Sequence, residues 1–168
     1  MRAAAAGVLI AITLALAGQT TLTRFLVGGT VALDLVLVVV VYVALRTGPA
    51  VGMLTGSAAG IIQDALASGV IGVGGLAKSI VGFAVGVIGR QFIVTAAAPR
   101  FVTFLWATAV HAAVFMGLYV LLGLREFPSP WMGIASQAVG NGVVGMIAST
   151  LLEAIPGLVK RRRQRRKM

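Results

Sequence analysis

Six nearly continuous apolar runs constrain this chain more than any motif does. They cover residues 3–22, 25–45, 51–66, 70–94, 101–124 and 131–159. A helix rises 1.5 Å per residue, so about 20 apolar residues cross a hydrocarbon core of about 30 Å. Backbone groups have no water to bond in such a core, and a helix satisfies them within one segment. The expected fold is an all-α polytopic membrane bundle of about six transmembrane helices. Gly48-Pro49, Ala98-Pro99 and Pro128-Ser129-Pro130 fall at three junctions, where helix breakers belong. Residues 1–159 read as one transmembrane helical domain and residues 160–168 as a basic cytoplasmic tail. Arg2 and the apolar run after it mimic a signal peptide, but no small-residue cleavage site follows Leu16 and a second span begins almost at once. A retained first helix is expected.

Composition supports the membrane reading. Apolar residues make up 59% of the 168 and charged residues 11%, against about 25% charged in soluble domains. Mean hydropathy is +1.03. Such a chain cannot cover a water-facing surface, which excludes a soluble enzyme or a free DNA-binding module. Disorder is excluded by the apolar content. With no cysteine there is no disulfide, thiolate metal site or cysteine nucleophile.

The net charge of +10 is unevenly placed. The terminal stretch KRRRQRRKM holds seven of the fourteen basic residues, and residues 1–159 carry only +3. A basic block beside a membrane-spanning end fixes orientation and touches anionic lipid, so no nucleic-acid partner is expected. With both termini cytoplasmic, the inner side collects Arg2, Arg46, Arg90, Arg100 and the tail. The outer side holds Arg24 and Arg125. That asymmetry is the positive-inside pattern and requires an even number of spans. The glycine-rich residues 68–75 read as a broken or re-entrant segment.

Glycines recur at helical spacing. Gly52, Gly56, Gly60 and Asp64 are successive steps of four in the third span, and Gly74, Lys78, Gly82, Gly86 and Arg90 repeat the pattern in the fourth. Residues four apart form one ridge, so each span carries a nearly side-chain-free stripe. Small residues let helix backbones approach where lipid supplies no hydrophobic drive. The stripes serve either packing of this pair or docking of a foreign transmembrane helix.

Ionisable groups inside spans cost at least about 2.5–3.5 kcal/mol each if unpaired. Asp34 falls near the middle of the second span, Lys78 near the middle of the fourth and Asp64 near the outer end of the third. Lys78 is expected to pair with Asp34 or Asp64 inside the bundle, as a structural ion pair or as part of an ion or proton pathway. His111 reads as a satisfied bundle histidine, with no chain of titratable groups on its own helix. Glu153 lies within reach of the basic inner loops or tail. Gln137 and Asn141, four apart on one face, are expected to bond across helices at about 0.6–2 kcal/mol each. Phe101, Tyr119 and Trp131 fall near the interfaces.

Nothing resembles a catalytic constellation. One histidine and scattered acids supply no metal set, and no cofactor is implied. Ser68 and Ser79 are the conceivable partners of His111 in a serine mechanism, without local support. The glycine runs lie in apolar spans and fit no phosphate loop.

The segment Gly56-Ser57-Ala58-Ala59-Gly60-Ile61-Ile62-Gln63-Asp64, followed by Ser68-Gly69, Gly72, Leu76 and Ser79, resembles the rod-shape-determining protein MreD family. Asp34 matches an acidic position of that family, although Leu33 stands where a proline usually precedes it. Asn141-Gly142 in the last span matches as well. The resemblance covers essentially the whole chain. It implies a non-enzymatic scaffold of the cell-elongation machinery in the bacterial inner membrane, supporting side-wall peptidoglycan synthesis. MreC is the implied direct partner, through its transmembrane helix. MreB, RodA and a class B penicillin-binding protein are the indirect ones, and the complex holds either one copy or a homodimer of this chain. On that reading Asp34, Asp64 and Asn141 are the polar specifiers of helix docking. The plan is also similar to the six-helix substrate-binding components of energy-coupling-factor vitamin transporters, where Ala11 and Ala15 would form the AxxxA contact with the energising partner. The short outer loops favour the scaffold.

Overall fold

The computed structural model describes residues 2–25, 33–67, 69–92, 94 and 96–165, with side chains described for residues 6–21 and from residue 33 to residue 154 within those ranges. Six helices follow one another: α1 (Arg2–Phe25), α2 (Leu35–Thr47), α3 (Pro49–Leu66), α4 (Val73–Gln91), α5 (Ala97–Leu121) and α6 (Trp131–Arg165). Among the described residues α4, α5 and the Trp131–Ala154 part of α6 are long and apolar enough to cross a membrane; Ala6–Thr21 and α2 are shorter apolar helices. Large apolar side chains point outward along the bundle, with Leu14 67%, Leu121 82% and Met132 82% exposed. Faces of that size on a soluble protein would aggregate; here they meet lipid. The chain is a multi-pass membrane protein.

The shortest complete apolar helix is the centre. α2 touches every other helix, while α3 with α4 and α5 with α6 form the other extensive pairs. Its sequence LVLVVVVYVALRT is apolar on all sides, the pattern of a helix enclosed by protein. Val36 and Val40 pack with Ile12 and Ala15 of α1 and Ala59 of α3. On the other side Leu37, Val41 and Ala44 pack with Val81 and Val85 of α4 and with Phe104 and Ala107 of α5. Ala15 of the AxxxA pair is thereby committed to the interior.

Several expected boundaries move. The second span was expected over residues 25–45, but α2 begins at Leu35; residues 26–32 lie outside the described residues. Asp34 is therefore not mid-span but the N-cap, its Oδ1 accepting the Leu37 N–H at 2.9 Å. An aspartate ahead of an apolar run starts a helix because its carboxylate takes an otherwise unpaired N–H. Pro99 was expected to break a junction and instead lies in the first turn of α5, where no N–H is needed. The segment expected to be broken or re-entrant is a short turn followed by α4 from Val73; its Ser68 lies outside the described residues. The helical backbone of α6 continues to Arg165, into the stretch expected as a basic tail.

Between α2 and α3 a single residue turns the chain. Gly48 has φ 95°, donates to the Ala44 carbonyl at 2.9 Å and hands over to Pro49, the first residue of α3. A side chain there would be strained and would meet the Arg90 guanidinium.

Candidate functional site

Buried polar groups from four helices meet at the Asp34 end of α2. Lys78 of α4 is 3% exposed, and its Nζ lies 2.8 Å from Asp34 Oδ2. The same ammonium lies 3.2 Å from His111 Nε2 on α5. Asn141 of α6 is fully buried: its Oδ1 accepts the Asp34 backbone N–H at 3.0 Å, and its Nδ2 donates to Thr108 Oγ1 at 3.2 Å. Thr108 in turn donates to the Phe104 carbonyl at 2.9 Å. One cluster thus ties α2, α4, α5 and α6 together, each charge paired and each carboxylate oxygen of Asp34 used. Of the two aspartates expected for Lys78, Asp34 is the partner. His111 was expected to have no chain of titratable groups on its own helix; α2 and α4 bring Asp34 and Lys78 to it from outside that helix.

Asp64 has a different task. At the C-terminal end of α3, its Oδ2 accepts the backbone N–H groups of Gly72, Gly74 and Gly75 at 2.9, 2.9 and 3.3 Å. It caps the start of α4 from the neighbouring helix, covering N–H groups that no turn of α4 can satisfy. Gly72 has φ 102° and so needs glycine. At Gly74 a Cβ would fall onto the Asp64 carboxylate. Replacing Asp64 by alanine is expected to lower stability by about 1–2 kcal/mol, with Asp64→Asn, which keeps one acceptor, losing less. Thermal denaturation of the purified variants checks the order.

The glycine stripes of α3 and α4 face each other. A Cβ built on Gly60 would come within 2.6 Å of the Gly75 Cα, and one on Gly56 within 2.6 Å of the Lys78 carbonyl carbon. Gly52 lies against the Gly82 carbonyl, and Gly86 against Pro49. The two backbones touch along most of their length, so this seam is filled by the chain itself. On the other side of the bundle Gly142 and Gly145 make notches for the Phe101 and Phe104 rings, closing α6 on α5. Phe101, expected at an interface, is one of these packing rings.

At the opposite end of the bundle Glu153 lies between two arginines, 3.3 Å from Arg46 Nη1 and 2.6 Å from Arg100 Nη2. Arg100 also donates from Nε to the Val94 carbonyl at 3.3 Å. The pair clamps α2, α5 and α6 together. Among the described residues no three metal-ligating side chains converge.

These polar groups meet one another or nearby backbone and hold the helices in register. The sequence matches the family model described as rod shape-determining protein MreD over residues 1–152. No curated protein and no solved structure matches it. A match over residues 1–152, together with the Gly56/Gly60/Asp64 helix that caps α4 and the Asp34–Asn141 link, leads to one conclusion: the chain belongs to the rod shape-determining protein MreD family.

Proposed function

We propose that this family member docks the transmembrane helix of MreC on the lipid-facing side of α5, with both of its own termini in the cytoplasm. As an MreD protein it is a non-enzymatic inner-membrane scaffold of the elongation machinery. MreB, RodA and a class B penicillin-binding protein are then its indirect partners. The vitamin-transporter alternative gains nothing from the family match, and the shared six-helix plan is a likeness only.

Six crossings are consistent with the short α2. Thirteen residues reach about 20 Å, less than a bilayer core. Backbone that ends at membrane depth is tolerated where protein surrounds it, and the Asp34 end of α2 is enclosed and bonded.

What carries the docking reading is that the expected docking residues are already engaged. Gly52, Gly56, Gly60, Gly82 and Gly86 meet each other's helices, Gly142 holds Phe101, and Asp34, Asp64 and Asn141 have partners within the chain. The outward ridge of α5 instead carries Val102, Trp106, Ala113, Gly117 and Val120, all exposed. A Cβ on Gly117 would meet nothing within 4 Å, leaving a small step beside Ala113 into which a second helix fits.

Gly117→Leu is expected to reduce co-purification of MreC at least about tenfold, equivalent to about 1.4 kcal/mol, without lowering the thermal stability of the chain alone. Depletion of the protein in a rod-shaped host should round the cells, and the variant should not restore them. The chain has no cysteine, so a single Gly117→Cys variant allows cross-linking to MreC or to a second copy. Wild-type MreC recovery with Gly117→Leu would remove α5 as the docking face.

A further inference from the structure

A cavity of about 590 Å³ opens at the Asp34 end of the bundle, beside the buried cluster of Asp34, Lys78 and His111. Its size falls within the 300–1,000 Å³ common for small-ligand sites. Ala112, Phe115, Met116 and Ile134 supply apolar wall, while His111 and Gln63 supply polar points. Phe115 stacks between His111 and Tyr119, with centroids 5.8 and 4.7 Å away, which makes an aromatic strip down one side.

Two buried polar atoms on that wall have no partner. The Lys78 ammonium can only donate, so His111 Nε2 is the acceptor of their 3.2 Å contact and the ring proton is on Nδ1. Nδ1 is buried and bonds to nothing among the described residues, in a residue 6% exposed. Gln63 Oε1 is likewise shielded and unpaired. An unmet buried donor or acceptor costs about 1–3 kcal/mol, so each marks a place for a ligand atom. Three of the charges around the cavity are already met: Lys78 and Asp34 by each other, Asp64 by the start of α4. At the rim, Arg125 lies 5.2 Å over the Phe127 ring. An ionic group would find no free counter-charge on the floor, whereas a hydroxyl both accepts from His111 and donates to Gln63.

We propose that this cavity binds an uncharged, hydroxyl-bearing ligand, with hydroxyls on His111 Nδ1 and Gln63 Oε1 and its apolar face along Phe115 and Met116. A sugar-headed lipid and a free sugar share this chemistry. His111 is the only histidine, so ¹⁵N-histidine labelling gives one pair of ring signals. The full chain is placed in phosphatidylcholine nanodiscs, which offer no hydroxyl. In one arm the discs contain monoglucosyl diacylglycerol, and in the other glucose is added to the buffer. The expected result is a ring in the Nδ1–H form whose Nδ1 signal shifts saturably in at least one arm, the arm naming the source. Gln63→Leu should weaken the half-saturation about fivefold. An unmoved Nδ1 signal in both arms, or a half-saturation unchanged by Gln63→Leu, overturns the site and leaves a cavity that holds water only.

Discussion

Asp34→Asn is expected to destabilise the bundle by about 3–5 kcal/mol, the loss typical when one member of a buried ion pair is removed. The side chains of Lys78 and Asp34 are 3% and 6% exposed, so water cannot stand in for the missing carboxylate. His111 would be the one remaining contact of the ammonium among those the pair now makes. Asparagine still caps the Leu37 N–H, which keeps the comparison on the charge rather than on the helix start. Adding Lys78→Met to Asp34→Asn should recover most of the loss, because a pair replaced together by uncharged groups leaves no buried charge unpaired. A double-mutant cycle on thermal denaturation in detergent measures the coupling. If both single variants are as stable as the parent, the pair does not hold the bundle together.

The second large effect is expected at Gly56. In an open helix, glycine to alanine stabilises by about 1 kcal/mol, and Gly117→Ala, with nothing within 4 Å, should follow that rule. At Gly56 the sign reverses. The new Cβ would lie on the Lys78 carbonyl, which is backbone in a helix and cannot rotate away. Overpacking usually costs about 1–3 kcal/mol, and a rigid wall puts Gly56→Ala at the upper end of that range. Gly56→Leu should prevent α3 and α4 from closing, and with them the alignment of Asp64 on α4 and of Lys78 on Asp34. Folded yield after membrane extraction, compared across Gly117→Ala, Gly56→Ala and Gly56→Leu, tests the ranking. Equal yields for all three would show that the seam tolerates separation.

Membrane class, helix number and the presence of two glycine ridges were legible because they rest on length and spacing. The runs at residues 51–66 and 131–159 and the steps of four from Gly52 to Asp64 needed no tertiary knowledge. The start of α2 was misplaced because apolar content alone reports where a chain avoids water, not where a helix begins. Asp34 before Leu35-Val36-Leu37 was the available cap signal. The roles of Asp64 and His111 were hidden for another reason. Asp64 serves backbone N–H groups eight to eleven residues away, and His111 meets a lysine 33 residues earlier; each depends on how helices cross. Asn141 was read as a cross-helix bonder from its type and place, but its partner, the backbone of a capping residue 107 positions away, follows only from the closed bundle.

That last separation sets an order of assembly. Ribosomes add about 5–20 residues per second, so Asn141 is made roughly 5–20 s after the Asp34 whose N–H it receives. During that interval the carboxylate enters the bilayer region before its lysine and before the helix that closes over it. Until α4 is made the carboxylate lacks its lysine, and until α6 is made the Asp34 N–H lacks its acceptor on Asn141. A chain that stops before α4 would lack the lysine that pairs this acid in the finished bundle.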